Sequence, residues 1–278
     1  MILILKVVGY SSAAWYGKKV TFIKQKPGPK PKHNDEEALI AIKEEIKNSQ
    51  FHSEGYLKIK KRMSDNGIVV AKDRVNSIMR ENKLLSSVRP VKDGRKNKHE
   101  GTIITDAPNV LWATDGKKFY TVKEGWCWFF GVIDHFNDEL ISWHTQKIGN
   151  RFAAMTPVRR AVKKIFHSLE QGVCKNTSLQ LRSDHGSQYD SQDFMNEMKF
   201  LGLDMSKAYV RSPECNGIIE RFHRTLNEQV FSVTVLESLA HAQEVLEEFI
   251  NNYNQNWLIH RLKLKSPIQY RIEYEKAG

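Results

Sequence analysis

Apolar residues change their spacing twice along this chain, and the changes divide it. Between residues 34 and 84 they recur every three or four positions. Leu39, Ile40, Ile42 and Ile46 stand among Glu and Lys in 36–48, Tyr56, Leu57, Ile59 and Met63 share a side in 54–66, and Val75, Ile78 and Met79 do so in 71–83. This spacing predicts three amphipathic helices. Asn34-Asp35 supplies an N-cap for the first, and Asp65-Asn66-Gly67 a glycine stop for the second. From Asn109 the pattern turns strand-like. Val110–Thr114, Trp126–Asp134 and Leu140–Thr145 are β-branched and aromatic runs with short connections, the last across Phe136-Asn137-Asp138, and predict an antiparallel meander. A helix over 151–169, a strand over 178–183, a helix over 191–201 and a short strand near 203–206 follow. After a loop rich in Pro, Asn and Gly, apolar residues at 218, 219, 222 and 226 predict a helix carrying Glu220 in its early turns. Beyond 238, Leu239, Val245, Leu246, Phe249, Ile250 and Tyr253 predict one long helix.

Strands first, then alternating strand and helix, give an α/β layer fold with a mixed sheet and helices on both faces. The order of elements sets out five regions: an N-terminal segment with a basic Pro-rich linker (1–33), a small all-α unit (34–84), a polar basic linker (85–106), an α/β core (107–232), and a C-terminal helix and tail packed on it (233–278). In the small unit, helix, glycine turn and helix leave Lys72, Arg74, Asn76, Ser77 and Arg80 on an outer, polar and basic face. A helix-turn-helix whose last helix enters the major groove has that form.

Charge sharpens the division. Of 43 Lys+Arg, 22 fall in residues 1–100, against 11 of the 32 Asp+Glu, so the net +11 belongs to the front and the remaining 21 of each sign cancel. Such a front half holds a polyanion and the neutral back half does something else. Cys127, Cys174 and Cys215 lie far apart without metal-ligand spacing, which excludes a disulfide framework and a structural zinc site. Met1–Val8 is apolar but too short to span a bilayer and lacks the flanks of a signal peptide, so the expected compartment is the cytoplasm, with no membrane partner.

Three carboxylates stand where chemistry is expected. Asp115 ends the run Leu111-Trp112-Ala113-Thr114, Asp184 ends Leu179-Gln180-Leu181-Arg182-Ser183, and Glu220 sits on the helix after residue 217. Taken singly each has an ordinary explanation: a turn Asp before Gly116-Lys117-Lys118, a loop-capping Asp, a solvated helix Glu. Asp134, also at a strand end, reads as a structural turn residue. Two carboxylates on strand ends and one on a helix form an oxygen-donor set suited to two divalent cations around a phosphodiester.

The motifs Trp-x-Thr-Asp at 112–115, Ser-Asp-x-Gly-Ser-Gln-Tyr at 183–189 and Ser-Pro-x-x-Asn-Gly-x-x-Glu-Arg-Phe at 212–222 follow one another in that order. Asn252-Tyr253-Asn254, His260 and Ser266-Pro267-x-x-Tyr270 come after them. In this the chain resembles the integrase core of the DDE transposases, in particular the second-frame product of bacterial insertion sequences. The resemblance implies a ribonuclease H-like core behind a helix-turn-helix domain. It further implies metal-dependent DNA strand cleavage and strand transfer, with Asp115, Asp184 and Glu220 as catalytic residues and ligands of two Mg²⁺ (or Mn²⁺) ions. The implied partners are double-stranded DNA, further copies of the chain on that DNA, and an upstream-frame protein or frameshift fusion, in a nucleoid-associated cytoplasmic protein. Lys72, Arg74, Asn76, Arg80, Arg224 and His185 are the expected DNA contacts, His185 equally well a loop residue. The chain departs from the family pattern at Asn227, where Lys is frequent, and at Trp257, where Arg is usual. A catalytically inactive DNA-binding repressor and a purely hydrolytic nuclease are the rival readings.

Overall fold

The computed structural model describes residue 9 and residues 32–86, 105–184, 186–207 and 216–277. Nearly all of the 1–33 segment, most of the 85–106 linker, His185 and the loop 212–215 lie outside the described residues.

Helix α1 (Asp35–Asn48) opens with a reciprocal cap: the Asn34 side chain accepts from Glu37 N–H at 2.8 Å, and the Glu37 carboxylate accepts from Asn34 N–H at 3.2 Å. It turns Ala38, Ala41 and Ile42 inward and leaves Ile40 58% exposed. Apolarity alone favours the isoleucines over the alanines for the core. Packing favours the alanines, because small side chains let two other helices approach closely. Helix α2 (Tyr56–Asp65) buries Ile59 and Met63 and stops as expected, with Gly67 at φ +84° and Ile68 N–H bonded to Met63 C=O at 2.8 Å. Helix α3 (Lys72–Glu81) buries Val75, Ile78 and Met79, as the spacing predicts.

The second unit is a five-stranded sheet of order β3-β2-β1-β4-β5. Strands β1 (Leu111–Thr121), β2 (Gly125–Asp134) and β3 (Leu140–Gln146) form the antiparallel meander. Strand β4 (Gln180–Ser183) lies parallel to β1, and β5 (Asp204–Lys207) parallel to β4. This is the mixed sheet that the order of elements predicts. Alternation along the strands divides the core in two. Trp112, Phe130 and Val132 pack under α4 (Arg151–Phe166) and α5 (Gln192–Leu201). Ala113, Phe119, Phe129 and Ile133 face α6 (Gly217–Leu226) and α7 (Leu239–Asn256). A short π-helix, Asn227–Phe231, extends α6.

The tail is fastened at the β2–β3 turn. Arg261 donates to the carbonyls of His135 and Phe136 and to Asp138 Oδ1, the Tyr253 hydroxyl donates to Asp138 C=O, and Asn254 brackets both main-chain groups of Leu140. A final helix α8 (Pro267–Ala277), absent from the sequence reading, is tied back by Arg271 to Glu139 at 2.6 Å. The α1–α2 loop joins the two units. Phe51 enters the core beside α6 and α7 and meets Trp257 edge-on at 4.8 Å, Lys58 lies over the Trp257 ring, and His52 and Gln229 exchange two hydrogen bonds. Among the described residues no helix is long and apolar enough to cross a membrane.

Candidate active site

Asp115 does not end its strand. It is the fifth residue of an eleven-residue β1, paired with Gly131. Gly116, which reads as a turn former in the sequence, continues the strand in its pairing with β2, and it suits the close approach there: a Cβ would lie 2.6 Å from the Phe130 ring. Asp115 points to the α6 side of the sheet. Its Oδ1 accepts from Gly116 N–H at 2.7 Å, and its Oδ2 lies 3.4 Å from His223 Nδ1.

Parallel pairing of β1 with β4 sets Ala113 against Arg182, so Asp115 and Asp184 leave that register side by side, each two residues further on. Asp184 Oδ1 accepts from Gly186 N–H at 2.9 Å, which turns the chain over the strand end. Buried Tyr189 feels the charge of both acids. Burial and the Asp115 charge, with a lesser push from Asp184, hold its phenol well above the usual tyrosine range.

Glu220 is brought up by α6, whose apolar stripe of Ile218, Ile219, Phe222 and Leu226 packs on the sheet. Partial desolvation and then the nearby Asp115 charge raise its pKa, while Arg224 and His223 pull it down. The expected closeness of Arg224 to Glu220, one helical turn away, is therefore present. Among the described residues no three His, Cys, Asp or Glu side chains are grouped closely enough to hold a metal ion. The donors still suit a hard divalent cation. They are carboxylate oxygens close enough that Asp115 disfavours the charged form of Glu220, a repulsion that a bound cation would relieve.

His223 was not singled out from the sequence. It is 7% exposed, and its Nε2 has no hydrogen-bond partner among the described residues. Its position one turn beyond Glu220 was visible, but its approach to Asp115 depends on how α6 lies across β1. Of the expected DNA contacts, Lys72, Arg80 and Arg224 are exposed and Asn76 half-buried, whereas Arg74 is engaged by Asp35 at 2.6 Å. Asn227 donates to Ser232 Oγ at 2.9 Å. A cavity of about 480 Å³ lies elsewhere, between β3, α4 and α7, and none of the three carboxylates lines it.

Residues 201–258 match the family model described as an integrase core domain, and residues 32–92 one described as an HTH-like domain. These two stretches of the chain are similar to the domains those models describe. The transposase InsD for insertion element IS2D of Escherichia coli (strain K12) is 28% identical over 199 residues, spanning 71% of this chain and 64% of that protein. The putative transposase InsD for element IS2E of the same strain is likewise 28% identical, over 89% of its length. A protein of insertion element IS136 from Agrobacterium fabrum is 28% identical across 67% of this chain and 94% of its own. Among solved structures, the HTLV-2 integrase catalytic core domain in complex with magnesium aligns over 60% of this chain and 98% of its own, with TM-score 0.44 and 16% identity. The simian T-cell lymphotropic virus intasome in complex with PP2A regulatory subunit B56 gamma aligns over 76% and 70%, with TM-score 0.49 and 16% identity. The stretch matched by the integrase core model begins at the end of α5, takes in Glu220 and reaches the end of α7.

Proposed function

We propose that the chain is the transposase of an insertion element, cutting DNA at the element's ends and joining the 3′-hydroxyls to target phosphodiesters. One observation supports this reading above the rest: the β1–β4 register carries Asp115 and Asp184 side by side, on the side of the sheet where α6 brings Glu220 and His223 towards Asp115, in a chain with stretches similar to an integrase core and an HTH-like domain. Bound between them, two Mg²⁺ or Mn²⁺ ions would activate the attacking oxygen and neutralise the leaving one. Gly116 N–H and His223 orient the Asp115 carboxylate, and Gly186 N–H orients that of Asp184. Arg224, exposed one turn from Glu220, draws the phosphate backbone towards the acids. Helix α3 positions the duplex through Lys72, Asn76 and Arg80. The protein works on DNA in the cytoplasm as an oligomer.

Asp115→Asn, Asp184→Asn and Glu220→Gln test the site. A carboxamide keeps the shape but cannot neutralise a divalent cation, so several kcal/mol of charge stabilisation are lost. Strand cleavage should then fall by roughly 100-fold or more in each variant, with duplex binding nearly unchanged. Near-parental cleavage by any one variant removes that residue from the site.

A further inference from the structure

The β1–β2 hairpin carries aromatic rings into solvent. Tyr120 and Trp126, cross-strand partners, form an edge-to-face pair at 5.6 Å while 56% and 61% exposed. Trp128 continues the same face, stacked on buried Phe130 at 5.6 Å, with the Lys118 ammonium 5.1 Å above its ring. Lys118, Lys123 and Lys147 surround the rings and are exposed. The face is rigid: Val122 and Lys123 donate main-chain bonds to Leu236 and Glu237, and Lys147 donates to the carbonyls of Glu124 and Trp126. Large apolar side chains left in water on a braced surface mark a contact site rather than a fold requirement.

Charge indicates the occupant. A two-fold dimer through this face would set the lysine cluster against its own copy, whereas a polyanion with stackable rings matches both features. Aromatic platforms bordered by cations bind single-stranded nucleic acid, each base stacking on a ring while the phosphates meet the cations. Tyr120 lies five residues beyond Asp115 on the same strand, about 16 Å away at strand rise, and on the opposite face. We infer that the Tyr120–Trp126–Trp128 face is a single-strand DNA platform that holds unpaired bases on the opposite face of the sheet from the carboxylates. The inference rests on the DNA-transferase reading for its purpose, but not for its test.

The test is binding of a labelled 15-nucleotide oligo-thymidine and of an abasic 15-mer of equal charge to the full chain, at one salt concentration without divalent ions. The parent should prefer oligo-thymidine. Tyr120→Ala/Trp126→Ala should lose about tenfold to a hundredfold in affinity for it and little for the abasic strand. Trp126→Phe should retain most of the preference. Both residues are exposed, and an unchanged thermal melt would show that the double variant folds. Equal binding of the two strands by the parent, or an unaltered preference in the double variant, would overturn the platform. So would conversion of the parent from dimer to monomer by the double substitution with DNA binding intact, which would assign the face to a second copy. Base-dependent binding in a protein that cleaves no DNA with Mg²⁺ would sustain the platform and defeat the transferase reading.

Discussion

Asp115 takes one hydrogen bond from the residue beside it and meets His223 from far down the chain, and the contrast shows what could be read in advance. The three acids drew attention in the sequence because each lies at the end of a recognisable apolar run or on a strongly periodic helix. His223 was not, because periodicity shows only that it shares a turn with Glu220. Arg74 illustrates the same limit. Its outward position on α3 was correct, but Asp35 at the start of α1 claims it, a pairing that only the packing of the three helices creates. Lys72, Asn76 and Arg80 have no such side-chain tie among the described contacts, and they line one stripe of α3. Asn and Arg make paired hydrogen bonds to adenine and guanine edges, each worth about 1–3 kcal/mol of discrimination, whereas Lys meets phosphate. Asn76→Ala and Arg80→Ala should therefore weaken binding to terminal-repeat duplex more than to scrambled duplex in a competition assay at fixed salt. Lys72→Ala should weaken both alike. Equal losses for all three variants would mean that α3 holds backbone only.

Strands and helices were largely legible, and the misplaced ends have physical causes. Strand β1 was expected to stop near Asp115 because Gly and two Lys follow; the pairing with β2 carries it to Thr121, with the Phe130 ring filling the space that a side chain at 116 would take. Helix α8 was missed because its apolar residues show almost no sidedness and it is held by ion pairs. At the β2–β3 turn, Asp134 has the structural role expected of it, accepting from the N–H groups of Asn109 and Phe136 at 2.8 Å each. Burial nevertheless pushes its pKa up to about 6, against those two hydrogen bonds and the Arg271 charge. A carboxyl with a folded pKa above its unfolded value holds its proton better in the folded state. Its contribution to stability is therefore greatest below the unfolded pKa, near 3.8, and declines as pH rises through about 6. The decline amounts to something on the order of 3 kcal/mol. Compared by thermal melts, Asp134→Asn should gain on the parent between pH 4 and 6 and run parallel to it above pH 7. A constant difference across that range would show that Asp134 does not titrate there.

At the scale of the whole molecule, the division into a basic front and a neutral α/β unit was legible from charge alone, and the order of elements pointed to the mixed sheet. The contact between the units was not. Trp257, where the family pattern favours Arg, takes Phe51 against its edge and Lys58 over its face, and Gln229 of the π-helix following the Glu220 helix exchanges hydrogen bonds with His52. The helix-turn-helix-like unit is thus braced against the element that carries one of the three acids, an arrangement suited to cutting DNA at a fixed distance from where it is held. Catalysis of strand joining is the central claim, and one reaction tests it most directly. The full chain is incubated with Mg²⁺, a supercoiled plasmid and a labelled duplex ending in the terminal repeat of the source element. The account predicts label covalently joined to plasmid through a 3′-end, absent without divalent ion and absent with Glu220→Gln. Hydrolysed fragments with no joined product, or joining that survives Glu220→Gln, would contradict it.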